Sequence, residues 1–377
     1  MRKIQMVDLV SQYEKIKPEV QAAINSVMDS AQFINGPEVQ AFKKELADYL
    51  GVKHVIPCAN GTDALQIAMM ALGLKPGDEV ITPSYTYIAT TEVIGLLGLK
   101  PVFVDCEKDT FNISPKAIEA AITRNTKAIV PVHLYGQSCD MESILKIAKK
   151  YDLKVIEDNA QAIGAEYTFS NGSVRKTGTI GDIGCTSFFP SKNLGCFGDG
   201  GAIFTNDDNL AEKLAMVANH GQSKRYYHDI VGCNSRLDSI QAAVLRIKLK
   251  ELDNYIAARR KAADFYDKQF ASVKELTVPF RAKDSTHVFH QYTLQLDNSV
   301  NRDDLVTYLG EHDIPAMIYY PVPAHKQKMF AAIETSSGNL ENTNWLTSRV
   351  FSLPMHTELD EEQLTHICTT VKNFIKQ

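Results

Sequence analysis

Lys192 is the residue whose surroundings point most directly to chemistry. It follows the strand-like run 187–190 and precedes the segment 194–201, in which four of eight residues are glycine. Glycine allows close backbone approach and positive φ, so this pattern predicts a tight loop around a bulky group. A lysine removed from water loses its proton more easily, and its neutral amine can form a Schiff base with an aldehyde. The alternative is a lysine in an ordinary glycine-rich turn.

Asp158 is the second candidate, because it ends the apolar run 154–158. Open α/β sheets bind ligands at the carboxyl ends of their strands. Side chains alternate along a strand, so Glu157 and Asp158 face opposite sides, and we assign Asp158 to the site. A buried carboxylate beside a pyridine nitrogen keeps that nitrogen protonated and makes the ring an electron sink. The alternative is an Asp that caps the next helix.

Gly61 and Thr62 lie between a predicted strand and a predicted helix. The free N–H groups and the dipole of a helix start suit a phosphate, although a Thr in this place is more often only the N-cap. Tyr85 and Tyr87 lie near the next strand end, where an aromatic ring can stack on a flat cofactor or pack in the core. No GxGxxG or Walker pattern is present, so a single phosphate fits better than a pyrophosphate.

These pieces fit one cofactor. A phosphate seat, a stacking aromatic, a carboxylate for a ring nitrogen and a lysine for an aldehyde together predict a pyridoxal 5'-phosphate pocket.

The elements that position these residues alternate between strand-like and helix-like patterns. This alternation predicts an α/β fold with a mostly parallel sheet. The predicted strands are 54–59, 78–84, 101–106, 127–133 and 154–158, and the predicted helices are 61–73, 86–98, 115–122, 141–151, 209–221, 238–270, 302–312 and 360–375. The helix at 238–270 is long enough to connect two lobes. We therefore predict a large cofactor-binding domain at 1–248 and a small C-terminal α+β domain at 249–377.

Composition excludes several classes of function. The 377 residues carry 40 Lys plus Arg against 45 Asp plus Glu, a net charge of −5, which gives no support for a nucleic-acid or membrane-surface partner. No apolar run approaches the roughly 20 residues of a membrane helix, and the amino terminus does not resemble a signal peptide. Seven cysteines without a CxxC pair favour reduced thiols in the cytoplasm over a disulfide framework or a metal site.

The sequence resembles the DegT-type nucleotide-sugar aminotransferases, within the fold-type I pyridoxal phosphate enzymes. The resemblance covers nearly the whole chain and is carried by NGTDAL, PSYTYIAT, EDNAQAIGA, SFFPSKNLGCFGDGGAI and GCNSRLDSIQAA. It implies a large domain with a seven-stranded-type, mostly parallel sheet flanked by helices. It also implies transfer of an amino group from an amino acid, with L-glutamate as the expected donor, to the keto carbon of a nucleotide-linked sugar. The segment VHLYGQSCDM resembles relatives that aminate a 3-keto hexose.

The resemblance also implies roles for individual residues. Lys192 becomes the Schiff-base lysine, Asp158 the partner of the ring nitrogen and Gln161 the contact of the ring hydroxyl. The implied phosphate contacts are Gly61, Thr62 and Ser187, and the implied stacking ring is Tyr87, with Tyr85 as the other choice.

Further residues are implied to act across subunits or on the substrate. Asn234 matches a residue that contacts the phosphate of the neighbouring subunit, which implies a homodimer with shared active sites. The implied substrate contacts are Arg236, Tyr319, Tyr320 and His325. A surface ion pair is the alternative for Arg236. Many relatives carry His-Tyr-Pro where this chain has Tyr-Tyr-Pro, so the role of Tyr319 stays open.

Other functions compete with this prediction. Within the same chemistry, the acceptor could be a 4-keto sugar or a cyclitol ketone. Relatives with His in place of the lysine act as dehydratases, and Lys192 favours transamination. A non-catalytic regulator that binds the cofactor or a sugar would keep the fold without turnover, and a nucleotide-binding oxidoreductase would need the missing fingerprint loop.

Overall fold

The computed structural model describes residues 1–376, which form an α/β unit and a smaller α+β unit. The strands are β1 (His54–Cys58), β2 (Glu79–Pro83), β3 (Lys100–Val104), β4 (Thr126–Ile129), β5 (Lys154–Asp158), β6 (Glu166–Thr168), β7 (Val174–Lys176), β8 (Ile183–Ser187), β9 (Gly201–Thr205), β10 (Gln222–Lys224), β11 (Tyr227–His228), β12 (Leu276–Thr277), β13 (Tyr292–Leu296), β14 (Ser336–Ser337) and β15 (Val350–Leu353). The helices are α1 (Leu9–Ser30), α2 (Pro37–Leu50), α3 (Gly61–Ala71), α4 (Ala89–Leu96), α5 (Pro115–Ala121), α6 (Met141–Tyr151), α7 (Asp208–Ala218), α8 (Ser239–Lys250), α9 (Leu252–Phe270), α10 (Arg302–Glu311), α11 (Glu341–Arg349) and α12 (Glu361–Ile375).

The main sheet has eight strands in the order β1-β9-β8-β5-β4-β2-β3-β14. Only β9 runs against the other strands, because its pairings with β1 and β8 are antiparallel and the remaining pairings are parallel. Seven of the strands come from residues 54–205, as the predicted seven-stranded-type sheet requires, and the two-residue β14 extends the edge beyond β3. The predicted α/β class and mostly parallel sheet are confirmed.

Helices cover both faces of this sheet, which explains why its strands are apolar almost throughout. Every residue of β2 and of β9 is buried. On one face, α3 contributes Leu65, Ile67 and Met69 to a core with residues of β5, β8 and β9. On the other face, Phe42 and Leu46 of α2 pack in a second core that includes Phe188. Parallel strands covered on both sides lose the alternating polar pattern of half-exposed strands.

The predicted single helix at 238–270 is wrong in one respect, because the segment forms two helices. α8 ends at Lys250 and α9 begins at Leu252. At Glu251 the backbone N–H donates to the carbonyl of Lys248, three residues back, at 3.1 Å. The hydrogen bonding changes here from a four-residue to a three-residue spacing. The apolar pattern of the sequence does not show such a change.

The smaller unit has its own core, built from α9, α10, α12 and the three-stranded sheet β12-β13-β15. Tyr266, Phe289 and Tyr292 are large, fully buried members of this core. Each unit includes a segment from the other end of the chain. Ile4, near the amino terminus, packs in the core of the small unit, and β14, from the carboxyl-terminal part, joins the sheet of the large unit. The division at residue 248 stays a prediction. Within residues 1–376, no helix is both long and apolar enough to span a bilayer.

Candidate active site

The predicted residues lie together at the carboxyl ends of several parallel strands, on one side of the sheet. β1 leads to Gly61, β2 leads to Tyr85 and Tyr87, β5 ends at Asp158 and β8 ends at Ser187. Because these strands run in the same direction, their carboxyl ends lie on the same side. The fold therefore collects side chains that lie more than 120 residues apart in sequence.

Lys192 lies in the tight loop that follows β8. Its backbone N–H donates to the carbonyl of Phe189 at 2.8 Å, and the Asn193 amide donates to the carbonyl of Val288 at 3.0 Å. A Cβ on Gly195 would lie 2.4 Å from the carbonyl oxygen of Pro190, so this position requires glycine. Desolvation lowers the pKa of the Lys192 amine to about 8, while the charge of Asp158 opposes that shift. The amine therefore reaches its neutral, nucleophilic form at a lower pH than an ordinary lysine does.

Asp158 is only 5% exposed and has two internal donors. Thr90 donates its hydroxyl to Oδ2 at 2.8 Å, and the backbone N–H of Ala160 donates to Oδ1 at 3.1 Å. Burial raises the pKa of Asp158, while these bonds and the Lys192 charge lower it. Residues 160–164 form a turn and no helix begins there, so the helix-cap alternative does not apply.

Gly61 begins α3 and lies against Ser187. Asn60 is the N-cap of this helix, since its side chain accepts from the backbone N–H of Asp63 at 2.8 Å. The alternative of Thr62 as the cap is therefore excluded, and the first N–H groups of the helix have no partner within it. A Cβ on Gly61 would lie 2.7 Å from the Cβ of Ser187. Glycine is required for this close approach of the helix start to the end of β8.

The two tyrosines after β2 have different environments. Tyr85 is fully buried, and its hydroxyl donates to the carbonyl of Tyr319 at 2.6 Å and lies 3.0 Å from the Tyr135 hydroxyl. Tyr87 is 57% exposed, and its ring centroid lies 6.1 Å from that of Tyr320. Tyr85 therefore belongs to the core, and Tyr87 is the ring that is accessible to a ligand.

Gln161 joins the loop after β4 to the segment around Tyr320. Its Oε1 accepts from the backbone N–H of Tyr135 at 2.7 Å, and its Nε2 donates to the Tyr320 hydroxyl at 2.9 Å. An amide nitrogen has two hydrogens, so one of them is free for another acceptor. Burial raises the pKa of the Tyr320 phenol, and Asp158 adds to that shift. Tyr320 thus lies beside both predicted cofactor contacts.

Other predicted substrate contacts lie farther along these loops. His325 Nδ1 is 2.7 Å from the Ser84 hydroxyl, which ties the segment 320–327 to the end of β2. Tyr319 contributes its carbonyl, which accepts from both Tyr85 and Tyr135. Arg236 is partly buried and, among residues 1–376, has no carboxylate within 4.0 Å, so the ion-pair alternative is not observed. Asn234 is exposed, and its backbone pairs with Asn219.

Comparison with known proteins decides the family. The DegT/DnrJ/EryC1/StrS aminotransferase family matches residues 14–372. The chain belongs to this family. Its membership confirms the resemblance seen in the sequence, the aminotransferase activity and pyridoxal phosphate as the family's cofactor.

The individual relatives match over nearly their whole lengths. A pleiotropic regulatory protein of Geobacillus stearothermophilus is 46% identical over 375 residues, covering 99% of each chain. A UDP-2-acetamido-2-deoxy-3-oxo-D-glucuronate aminotransferase of Pseudomonas aeruginosa is 46% identical, covering 98% of this chain and 100% of the relative. The solved structure of NtdA from Bacillus subtilis with bound cofactor PMP superimposes with a TM-score of 0.90 at 33% identity, covering 100% of this chain and 86% of that one.

A small cavity lies beside Tyr87 and Tyr320 in this aminotransferase. It has a volume of about 170 Å³. Its other lining residues are Thr86, Ile88, Pro321, Val322, Ala324 and Gln327. A larger cavity of about 650 Å³ borders Asp105 and Lys116 and contains none of the predicted site residues.

Sequence reasoning missed two residues of this site. Thr90 donates to the Asp158 carboxylate, and Tyr135 donates its backbone N–H to Gln161. A signal for Thr90 exists in the sequence, because it lies early in the predicted helix that follows the second strand, near the same carboxyl end of the sheet as Asp158. Tyr135 had no such signal, since its contact depends on the loop after β4.

Proposed function

We propose that this aminotransferase transfers an amino group from an amino acid, expected to be L-glutamate, to the 3-keto carbon of a nucleotide-linked hexose. The observation that carries the proposal is the desolvated Lys192 amine beside the buried Asp158 carboxylate. The 3-keto position is supported by the Pseudomonas relative, whose name specifies a 3-oxo sugar nucleotide. A 4-keto sugar or a cyclitol ketone is the competing acceptor.

The residues present fit pyridoxal phosphate. Gly61 lacks the Cβ that would fill the space against Ser187, and the start of α3 offers free N–H groups to a phosphate. Lys192 offers a desolvated amine, and Asp158 offers a carboxylate to a ring nitrogen. When bound, the cofactor supplies an aldehyde for the amino group and a protonated ring that withdraws electrons.

Lys192 has two tasks in this proposal. Its amine would hold the cofactor, and when it is not bound there it would carry a proton. A pKa of about 8 suits this second task, since a proton carrier works best when its pKa is near the operating pH. Asp158 keeps its negative charge beside the ring nitrogen, and Thr90 fixes the orientation of that carboxylate.

The cofactor's remaining contacts are proposed to be Gln161, Ser187 and Tyr87. Gln161 has a free amide hydrogen for the ring hydroxyl, and Tyr87 has an accessible ring face. Tyr319, Tyr320, His325 and Arg236 are proposed to contact the sugar nucleotide or the donor. Arg236 supports this role because no acidic partner for it lies among residues 1–376, so it can bind an anionic group.

A homodimer with shared active sites is part of the proposal. Asn234 is exposed in the single chain, and the side chain is available to a phosphate held by a second copy. Tyr226 and Val231, close to Asn234 in sequence, are 77% and 83% exposed, as expected of a surface that a partner covers. We place the enzyme in the cytoplasm, which the seven free cysteines support.

The proposal is tested with a panel of nucleotide-linked 3-keto and 4-keto sugars and isotopically labelled glutamate. We expect label in the amino group of the 3-keto product, and we expect the Lys192→Ala variant to lose turnover and the cofactor's near-visible absorbance. Turnover of only 4-keto sugars would overturn the assigned ketone position. A fully active Lys192→Ala variant would overturn the mechanism.

A second candidate function is favoured by one observation, the name of the Geobacillus relative as a pleiotropic regulatory protein. A regulator would bind the cofactor or a sugar without turnover. Purified enzyme should be yellow, and glutamate should convert the bound cofactor to its aminated form. A colourless protein that binds a nucleotide sugar without reaction would favour the regulator.

A further inference from the structure

Glu157, the neighbour of Asp158, has a saturated hydrogen-bond shell. It is fully buried, and its Oε1 accepts from the backbone N–H groups of Ile180 and Gly181, both at 2.6 Å. Its Oε2 accepts from the backbone N–H of Gly178 and from His133 Nε2, both at 2.8 Å. Four donors on one buried carboxylate make its charged form stable, and these donors lower the pKa of Glu157 against the effect of burial.

The protonation state of His133 follows from its two contacts. Its Nδ1 accepts from the backbone N–H of Cys139 at 3.1 Å, so Nδ1 carries no proton. The single ring proton is therefore on Nε2, where it is donated to Glu157. The imidazole is a neutral, oriented donor, and it cannot change tautomer without placing an N–H against the N–H of Cys139.

This shell is connected directly to Asp158. The backbone N–H of His133 donates to the carbonyl of Asp158 at 3.0 Å, and the backbone N–H of Asp158 donates to the carbonyl of Pro131 at 2.9 Å. His133 therefore holds Glu157 through its side chain and Asp158 through its backbone. Both main-chain groups of Asp158 are paired, so its backbone can shift only if the loop 131–133 shifts with it.

Glu157 also holds the loop 178–181, which packs against β8. A Cβ on Gly184 of β8 would lie 1.9 Å from the carbonyl oxygen of Gly178, so this loop and the strand are in direct contact. β8 leads to Ser187 and then to Lys192. Glu157 is thus bonded to the loop that packs on β8, the strand leading to Lys192, and, through His133, to the loop beside Asp158.

We propose that Glu157 and His133 are positioning residues, which hold the Asp158 carboxylate at the correct place for the cofactor's ring nitrogen. The inference rests on the proposed function, because it concerns the role assigned there to Asp158. Glu157 contacts neither cofactor nor substrate in this scheme and acts through the backbone of β5 and the loops beside it.

The principal test is Glu157→Gln in the full-length enzyme. The amide replaces one acceptor oxygen with an NH2 group that faces donors, and His133 cannot adapt because of its contact with Cys139. We expect the dissociation constant for pyridoxal phosphate to rise about tenfold, the order expected for one disturbed charged hydrogen bond. We also expect the pH midpoint of the bound cofactor's absorbance to move, and kcat to fall more than KM rises.

A matched control uses Asp105→Asn. The Asp105 carboxylate also follows a strand and accepts from the backbone N–H groups of Asn342 at 2.9 Å and Thr343 at 2.8 Å. It follows β3, which is three strands from β5 in the sheet. We expect this variant to lower thermal stability and to leave cofactor affinity and the absorbance midpoint unchanged.

Two further variants separate positioning from simple loss of stability. In Glu157→Gln/His133→Gln, the glutamine at 133 can present its carbonyl to the new amide, and we expect cofactor affinity to recover in part. His133→Leu removes one donor and leaves three on the carboxylate, so it remains informative if Glu157→Gln does not fold. We expect it to change the same readouts in the same direction by a smaller factor.

The possible results are distinguishable. Glu157→Gln with reduced thermal stability but wild-type cofactor affinity, absorbance midpoint and kcat would overturn the positioning role while leaving the proposed function intact. A wild-type protein that binds no pyridoxal phosphate would overturn both. An Asp158→Asn variant with wild-type behaviour would overturn the assignment of Asp158 and, with it, the role of Glu157.

Discussion

The Asp158 carboxylate and the Lys192 amine stabilise each other's charge in a desolvated space. Burial raises the pKa of Asp158 and lowers that of Lys192, and the charge of each residue opposes the other's shift. Asp158 ends β5 and Lys192 follows β8, and these two strands are neighbours in the sheet. In the protein without ligand, burial thus makes the charged forms of both Asp158 and Lys192 unfavourable. Such an unfavourable charged pair is expected at a binding site rather than in a structural core.

Lys192→Met should stabilise the cofactor-free protein. The folded pKa of about 8 lies below the ordinary value of 10.5, so the unfolded chain binds more protons between these pH values. The free energy of unfolding of the wild type therefore rises as the pH rises from about 8 to 10.5. Below pH 8 the full cost of burying the charged amine is present. At pH 7 we expect the variant to be more stable by about 1–3 kcal/mol.

Urea unfolding of the cofactor-free proteins at pH 7, 9 and 10.5 measures this difference. The advantage of the variant should shrink as pH rises and should be smallest at the highest pH. A difference that is independent of pH would show that the amine is not desolvated as described.

Asp158→Asn should impair catalysis without unfolding the protein. Asparagine can keep its oxygen for the Ala160 N–H and donate its amide to the Thr90 hydroxyl, which can accept as well as donate, but it loses the charge that holds a proton on the ring nitrogen. We expect kcat for the half-reaction with the amino donor to fall by at least about 100-fold. Stopped-flow absorbance of the bound cofactor gives the rate, and thermal unfolding checks the fold. A rate within a factor of two of wild type would contradict the assigned role.

Gly61→Ala should disturb the phosphate seat. The new Cβ would lie 2.7 Å from the Cβ of Ser187, so either the start of α3 or the end of β8 must move. We expect a loss of about 1–3 kcal/mol in the free energy of unfolding and weaker binding of pyridoxal phosphate. The control is Gly310→Ala in α10, where an added Cβ has no neighbour within 4 Å. The control should keep cofactor affinity and should slightly gain stability.

Mixing two inactive variants tests the shared site. If Asn234 acts on the phosphate of the partner subunit, a dimer of one Lys192→Ala chain and one Asn234→Ala chain has one intact site. Refolding or subunit exchange of an equal mixture should then restore about a quarter of wild-type activity, since half of random dimers are mixed and each has one site. Activity no higher than that of the parents would place both residues in the same chain's site.

Local patterns were sufficient to predict much of this protein. The alternation of apolar strands and amphipathic helices predicted the α/β class, because burial on both faces leaves a direct trace in the sequence. Asp158 ends a strand, and Gly61 and Lys192 each follow one, so the parallel strands bring these residues together even when the loop conformations are unknown. The break at Glu251 was not predicted, since a shift from four-residue to three-residue hydrogen bonding leaves the apolar pattern unchanged.

The sequence by itself determined which residue types are available and at which strand ends they lie. Only the tertiary structure decided that Tyr85 is core while Tyr87 is accessible, and that Thr90 and Tyr135 support Asp158 and Gln161. It also decided that Glu157 is saturated by three backbone N–H groups and one imidazole. Such contacts join segments from different parts of the chain, and the energy of a buried polar group depends on those distant partners rather than on its sequence neighbours.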